Sequence, residues 1–500
     1  MKWSNFLHFY QPVDQQPDIL EAIVAQSYRP IIDGIKNNKK VHLTINMNGA
    51  LFELFHKFGY KDLIEDIKNL VEEGRLEITG SAKYHALLPL LSKEEIKRQI
   101  ELNTETLRRF LGEYTPNGFF PPEMAYDEKV AEVVEELGFK WVILDEISCG
   151  GEVGHVDYSQ IYKLKNTKKN ISLNIFFRNR RLSNLIMSAV VRSRETLLEA
   201  MHDELKSGNF IVTAMDAETF GHHRTGLEKM LFEIFDTPEF ELVKISDLIK
   251  SYKVEIEIAP ARATWASSKE DIEHDIQFLS WNDPENIIHK MQWALTTLVL
   301  GEVYKMDKSH PRYELVREKM DKGLASDHFW WASGKPWWSL EMVEDGVFNL
   351  LDTLRHIPDV DKKLLEEGGG YYEKIISTAF NWQRTGKIRA MMQSQRDLLR
   401  IPFKDRTLGR GGAEEGVYHA FIDMMNNLEQ EAVDRHEYEK AILWRDAKYK
   451  LENKLDIYDT INAVDLLRIE IPHNEVEKTI EQYKEKYYKM RGGQPEQRGS

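Results

Sequence analysis

Two short strings hold the residues best placed for chemistry: Phe119-Phe120-Pro121-Pro122-Glu123 and Met215-Asp216-Ala217-Glu218-Thr219-Phe220-Gly221. Each sets a carboxylate directly after an apolar run that reads as a strand, with proline or glycine close by. A carboxylate where a strand gives way to a loop is poorly placed for a core role and well placed for reaction. Two carboxyl groups, one acting as nucleophile or base and the other as acid, are the least equipment that can break a glycosidic bond. Such a pair needs one member ionised and the other holding a raised pKa. A nearby arginine or histidine is expected to keep Glu123 anionic, and apolar cover from Met215 and Phe220 to favour a proton on Asp216.

The elements that must position this pair are legible as alternating strands and helices. Strands are predicted at 3–9, 41–46, 76–79, 117–120, 140–144, 172–177 and 210–215. Between them lie segments with apolar residues three and four apart, such as Leu63, Ile64, Ile67, Leu70 and Val71, or Val130, Val133, Val134 and Leu137. Gly74 and Gly138 punctuate the helix ends. This alternation predicts parallel strands with right-handed crossovers, and seven repeats suggest a barrel, complete or incomplete, rather than an open sheet. In a βα barrel the loops after the strands converge on one mouth. That mouth would gather Glu123, Asp216, His8, His85, Arg178 and the end of the strand at Trp141–Asp145. From about Pro284 helical periodicity takes over, as in Ile287, Ile288, Met291, Leu295, Leu298, Val299 and Val303. The division expected is a barrel over 1–255, a connection over 256–283, an α-helical domain over 284–490 and a flexible tail over 491–500.

Composition narrows the partners. The formal charge of −15 argues against nucleic acid or an anionic membrane, which want a basic face. No window approaches the roughly 20 apolar residues of a bilayer span. The N-terminal segment has no apolar h-region, and Cys149, the single cysteine, suits a reducing compartment, so a cytoplasmic protein is expected. Eleven tryptophans and twenty tyrosines supply flat apolar faces with polar edges, on which sugar rings can stack. The oligomeric state is left open.

Five motifs in order resemble those of glycoside hydrolase family 57. They are His8-Phe9-Tyr10-Gln11-Pro12, Gly80-Ser81-Ala82-Lys83-Tyr84-His85, Phe120-Pro121-Pro122-Glu123, Asp216-Ala217-Glu218-Thr219-Phe220-Gly221 and Ala325-Ser326-Asp327-His328-Phe329-Trp330, the last preceded by Ser280-Trp281-Asn282-Asp283. The resemblance implies an incomplete seven-stranded (β/α) barrel followed by an α-helical bundle that closes one side of a cleft. It implies a retaining enzyme of the α-amylase or 4-α-glucanotransferase kind, acting on an oligo- or polysaccharide without metal or other cofactor. Glu123 matches the family's nucleophile and Asp216 its acid/base, while His8, His85, Trp281 and Asp327 match cleft positions. Gln11, Arg178, His222 and Trp330 complete the expected substrate-binding set. Two features depart from the family pattern: Phe9 and Tyr10 separate His8 from Gln11, and Ala86 follows His85, with proline delayed to Pro89.

Each residue has a plainer reading. Glu123 could be an acid favoured at a helix N-terminus, and Asp216 an N-cap. Arg178 is either a charge partner for Glu123 or part of a surface basic cluster with Arg180 and Arg181. Glu218 reads as a structural partner of Arg178 or of a histidine. His222 and His223, with His8, His85 and Asp216, admit a metal-dependent deacetylase or mannosidase as an alternative, although no compact zinc spacing is present. A non-catalytic glycan-binding homologue is a further alternative.

Overall fold

The computed structural model describes residues 1–165, 172–189, 191–335, 337–391 and 415–453, with shorter stretches as far as residue 483. The fold is mixed α/β, with parallel strands in the first half and helices in the second. All seven predicted strands form: β1 (Lys2–Phe9), β2 (Leu43–Met47), β3 (Leu76–Ile78), β4 (Gly118–Phe119), β5 (Trp141–Asp145), β7 (Asn174–Arg178) and β8 (Ile211–Asp216). Short strands β6 (Ile161–Leu164), β9 (Glu241–Leu242) and β10 (Val254–Ile258) add to them. The domain boundary expected at 255/256 therefore falls inside a strand.

One sheet runs β3-β2-β1-β8, with β9 also on β1; the other runs β10-β6-β7-β5-β4. The pairings are parallel except β6 against β7. Hydrogen bonds join the sheets at both sides. Beyond β3, the Gly80 amide donates to Gly118 O and the Phe120 amide to Gly80 O, both at 2.9 Å. Beyond β7, the Asn179 amide donates to Val212 O at 2.7 Å. A core cluster gathers side chains from both sheets: Phe6, Trp141, Ile143, Phe176, Val212 and Ala214, with Phe120 and Met124. Residues in β2 and β5 are buried throughout; β5 reads as an unbroken apolar run over Trp141–Leu144, whereas β2 alternates Leu43, Ile45 and Met47 with buried Thr44 and Asn46.

Helices bury one stripe each, as their periodicity predicts. Lys61–Glu72 buries Leu63, Ile64, Ile67 and Leu70 and is followed by Gly74 at φ +70°. Glu128–Glu136 begins on the Asp127 side chain, which accepts from the Val130 amide, and ends before Gly138 at φ +87°. In the helical half, Ile287–Lys305, Tyr313–Gly323, Leu340–His356 and Lys362–Arg384 share one core with the helices and strands that flank β4 and β5. Further on, two helices, Glu415–Asp434 and Tyr438–Asn453, are separated where His436 takes φ +62°. The tail over 491–500 lies outside the described residues.

Candidate active site

The site is built where parallel strands end. His8 lies opposite Asn46 of β2 on one side and opposite Asp216 of β8 on the other, which sets three polar side chains in a row at one edge. Glu123 follows β4 in a tight turn with a left-handed backbone (φ 62°, ψ 16°), and Met124 next to it has φ 49°. His85, on the loop after β3, has φ 54°. Non-glycine residues in this region are strained by about 1–3 kcal/mol and gather where a site overrides local preference. The loop that carries His85 pairs with the helical half, through an Ala86–Ala325 bridge and a Ser326 amide that donates to His85 O at 3.3 Å. Asp327 is thereby brought to the residues at the strand ends.

Rings and hydrogen bonds fix this cluster. The Trp265 indole N–H donates to Glu123 Oε2 at 2.7 Å, and His85 Nδ1 lies 3.9 Å from Oε1. Tyr10 stacks on His85 with ring centroids 4.0 Å apart, and its hydroxyl donates to Asp327 Oδ2 at 2.5 Å. His8 stacks on His85 at 5.2 Å and on Phe120 at 4.7 Å. Asn46 Nδ2 donates to the Thr79 hydroxyl, so its Oδ1 faces His8 Nδ1 at 2.8 Å and assigns the ring proton there.

The electrostatics differ from the sequence expectation. Burial raises Glu123 to about 8, against the Trp265 hydrogen bond, with the Asp216 and Asp327 charges adding to the rise. Burial also raises Asp216, to about 6, while the Arg178 charge holds it down. No described residue hydrogen-bonds the Asp216 carboxyl. Burial lowers His8 to about 4 and His85 well below its ordinary value, so both rings are neutral at pH 7. The histidine expected to keep Glu123 anionic therefore carries no charge. The arginine is engaged elsewhere: Arg178 donates to Asp145 Oδ2 and to Ala214 O, each at 2.7 Å. Asp145 lies directly opposite it on β5.

Of the other expected residues, Gln11 is buried and donates to Glu218 Oε1 at 2.7 Å. Glu218 also accepts from the Tyr28 hydroxyl, so its carboxyl is held by Gln11 and Tyr28 rather than by Arg178 or an imidazole, while the His223 amide donates to its backbone carbonyl at 2.6 Å. Tyr28 comes from the wide helical turn Val24–Tyr28, which also places Gln26 Oε1 2.7 Å from His222 Nδ1. Trp281 is 1% exposed and packs with Leu87, Ala125 and Phe329, behind the residues that bear His85, Glu123 and Asp327. Trp330 is half-buried and stacks on Trp337 at 4.5 Å. Tyr10 and Trp265 went unmarked in the sequence. Strand alternation carries the Tyr10 signal, because His8 and Tyr10 flank the buried Phe9 and share one face. Trp265 lies in a segment without periodicity, and nothing local marks it.

Among the described residues no group of three His, Cys, Asp or Glu side chains is placed to hold a metal ion. His8 and Asp216 are neighbours, but His8 Nδ1 is committed to Asn46. No helix among the described residues is long and apolar enough to cross a membrane.

Residues 9–259, half of the chain, match glycosyl hydrolase family 57. The chain belongs to that family. Over 240 residues it is 23% identical to alpha-amylase 1 of Dictyoglomus thermophilum, covering 47% of this chain and 34% of that one. The family fold is shared with the 4-alpha-glucanotransferase of Thermococcus litoralis (TM-score 0.55, 17% identity, 71% of this chain and 58% of that one). It is shared too with a family 57 branching enzyme of Thermococcus kodakaraensis (TM-score 0.54, 16% identity, 76% and 96%). The chain spans 21% of the length of the Pyrococcus abyssi alpha-amylase that it also matches.

Proposed function

We propose that this family 57 chain is a retaining glycosidase or transglycosylase for α-linked glucans, with Glu123 as nucleophile and Asp216 as acid/base. One observation carries the reading. Glu123 follows β4 of one sheet and Asp216 ends β8 of the other, yet both reach the stacked His8–His85 pair: Asp216 lies opposite His8 on the neighbouring strand, and Glu123 Oε1 lies 3.9 Å from His85 Nδ1. The scaffold proposed for them is a seven-stranded barrel in the order β8-β1-β2-β3-β4-β5-β7, supported by the hydrogen bonds that join the two sheets on both sides. On this division the barrel covers about 1–255 and the helical domain 284–490, with Asp327 its contribution to the cleft.

In the reaction Glu123 attacks the anomeric carbon while Asp216 gives its proton to the leaving oxygen. Asp216 then takes a proton from water or from a sugar hydroxyl, which releases the β-glycosyl-enzyme as an α product. The carboxyl groups should lie ~5–5.5 Å apart for this chemistry. Neutral His8 and His85 offer hydrogen bonds to sugar hydroxyls without adding charge, and Trp330 offers a stacking face. With values near 8 and 6, the pair holds about one proton at pH 7, which is the number the reaction needs. The free cleft places that proton on Glu123. A glycosidic oxygen beside Asp216 gives a protonated Asp216 an acceptor, and positive charge developing at the anomeric carbon stabilises the Glu123 anion.

The same pKa order favours a second reading, in which the roles are exchanged. Azide rescue with an aryl α-maltooligoside separates the two. Glu123→Ala with azide should give the β-glycosyl azide, and Asp216→Ala with azide the α-glycosyl azide. The opposite stereochemistry assigns the nucleophile to Asp216.

A further inference from the structure

Resting on that reading of the site, we propose that Trp265 is the positioning residue for Glu123, held in place by a strap over residues 261–268 that Arg180 and Asp145 clamp. The strap grips the Glu123 turn at three points. The Trp265 indole N–H holds Oε2 at 2.7 Å, and the Trp265 amide donates to the Glu123 carbonyl at 3.1 Å. The Tyr126 amide donates to Ala263 O at 2.9 Å. Among the described residues the indole is the one group that hydrogen-bonds the Glu123 carboxyl.

The strap is fixed from its other side. Arg180 donates to Ser267 O at 2.8 Å and to Trp265 O at 3.0 Å, while its Nε holds Asp145 Oδ1 at 2.8 Å. The second Asp145 oxygen holds Arg178, whose guanidinium lies 5.7 Å from the centre of the Trp265 ring. His8 and Phe120 meet the ring edge-on, each with centroids 6.0 Å away. With its N–H, its backbone and its ring all held by neighbours, the indole keeps one orientation, and Glu123 keeps one with it. Oε2 is engaged, and Oε1, on the His85 side, is left to attack.

A donor to a carboxylate favours its ionised form. The other groups acting on Glu123 are neutral His85 beside Oε1 and the negative fields of Asp216 and Asp327, so the indole is the opposing influence. Trp265→Phe keeps the ring and removes the donor. The test is infrared titration of the Glu123 carboxyl, read as the difference between each protein and its Glu123→Gln counterpart, together with kcat and KM on maltoheptaose. The expected result in a folded Trp265→Phe protein is a Glu123 midpoint raised by ~1 pH unit. Turnover should fall ~10-fold with KM within about twofold, as loss of an interaction made mainly in the transition state would give. If Trp265→Phe does not fold, Arg180→Met, which frees the strap but keeps the indole, should move midpoint and kcat in the same directions. An unmoved midpoint in the folded variant overturns the proposal whatever the turnover. A shifted midpoint in a protein whose wild type cleaves no α-glucan keeps the proposal and removes the assigned function.

Discussion

In the proposed mechanism Glu123 and Asp216 set the pH response of the site. Below about 6 both carboxyls are protonated and above about 8 both are ionised, whereas that mechanism needs the singly protonated pair. The profile of kcat/KM should therefore be bell-shaped, with its acid limb near 6 and its basic limb near 8. Removing the Arg178 charge lifts a restraint on Asp216, so Arg178→Met should move the acid limb upward. That change also leaves buried Asp145 with Arg180 alone and should cost about 3–5 kcal/mol of stability, measured by denaturant unfolding. The two carboxylates were readable in the sequence because proline and glycine mark the strand ends they occupy. The Arg178 partner was not. Asp145 lies opposite it only because β5 and β7 are neighbours, and β6, between them in the chain, pairs on the far side of β7. The partners of Glu218 eluded the sequence for a similar reason, since Tyr28 reaches it from a helical turn 190 residues away.

The strands that carry these residues were legible wherever both faces are buried, as in Trp141-Val142-Ile143-Leu144. β6 and β10 were missed because Lys163, Glu255 and Glu257 interrupt short runs that have no helix period on either side. Close approach between neighbouring strands leaves its own mark in glycine. A Cβ on Gly118 would lie 1.9 Å from the Trp141 ring that covers it across the β4–β5 pair. Gly118→Ala should therefore displace Trp141 from its hydrogen bond to Ser246 and from the cluster beneath Glu123. The expected loss is about 1–3 kcal/mol, seen as a lower Tm. An unchanged Tm would mean that the ring can move aside without cost.

The two halves meet through buried charge as well as through a shared core. Arg317 holds Glu95 and, at 2.9 Å, Asp321, and Arg98 holds Asp321 at 2.7 Å, which joins helix Lys93–Leu111 to helix Tyr313–Gly323. Arg317→Met leaves Glu95 buried with, among the described residues, only the Tyr304 hydroxyl as donor to its carboxyl and should destabilise the protein by about 3–5 kcal/mol. A loss confined below about 1 kcal/mol in denaturant unfolding would make the joint a matter of apolar packing alone. Helical periodicity disclosed the second half in the sequence, but this joint pairs side chains more than 220 residues apart, beyond the reach of any local pattern. Both joints tie the helical half, which carries Asp327, to the half that carries Glu123 and Asp216, the carboxylate pair proposed to cleave with retention. The most direct test is proton NMR of maltoheptaose during the first minutes of reaction. The account predicts that newly formed reducing ends or linkages appear first as the α-anomer and mutarotate afterwards. Initial appearance of the β-anomer would contradict it.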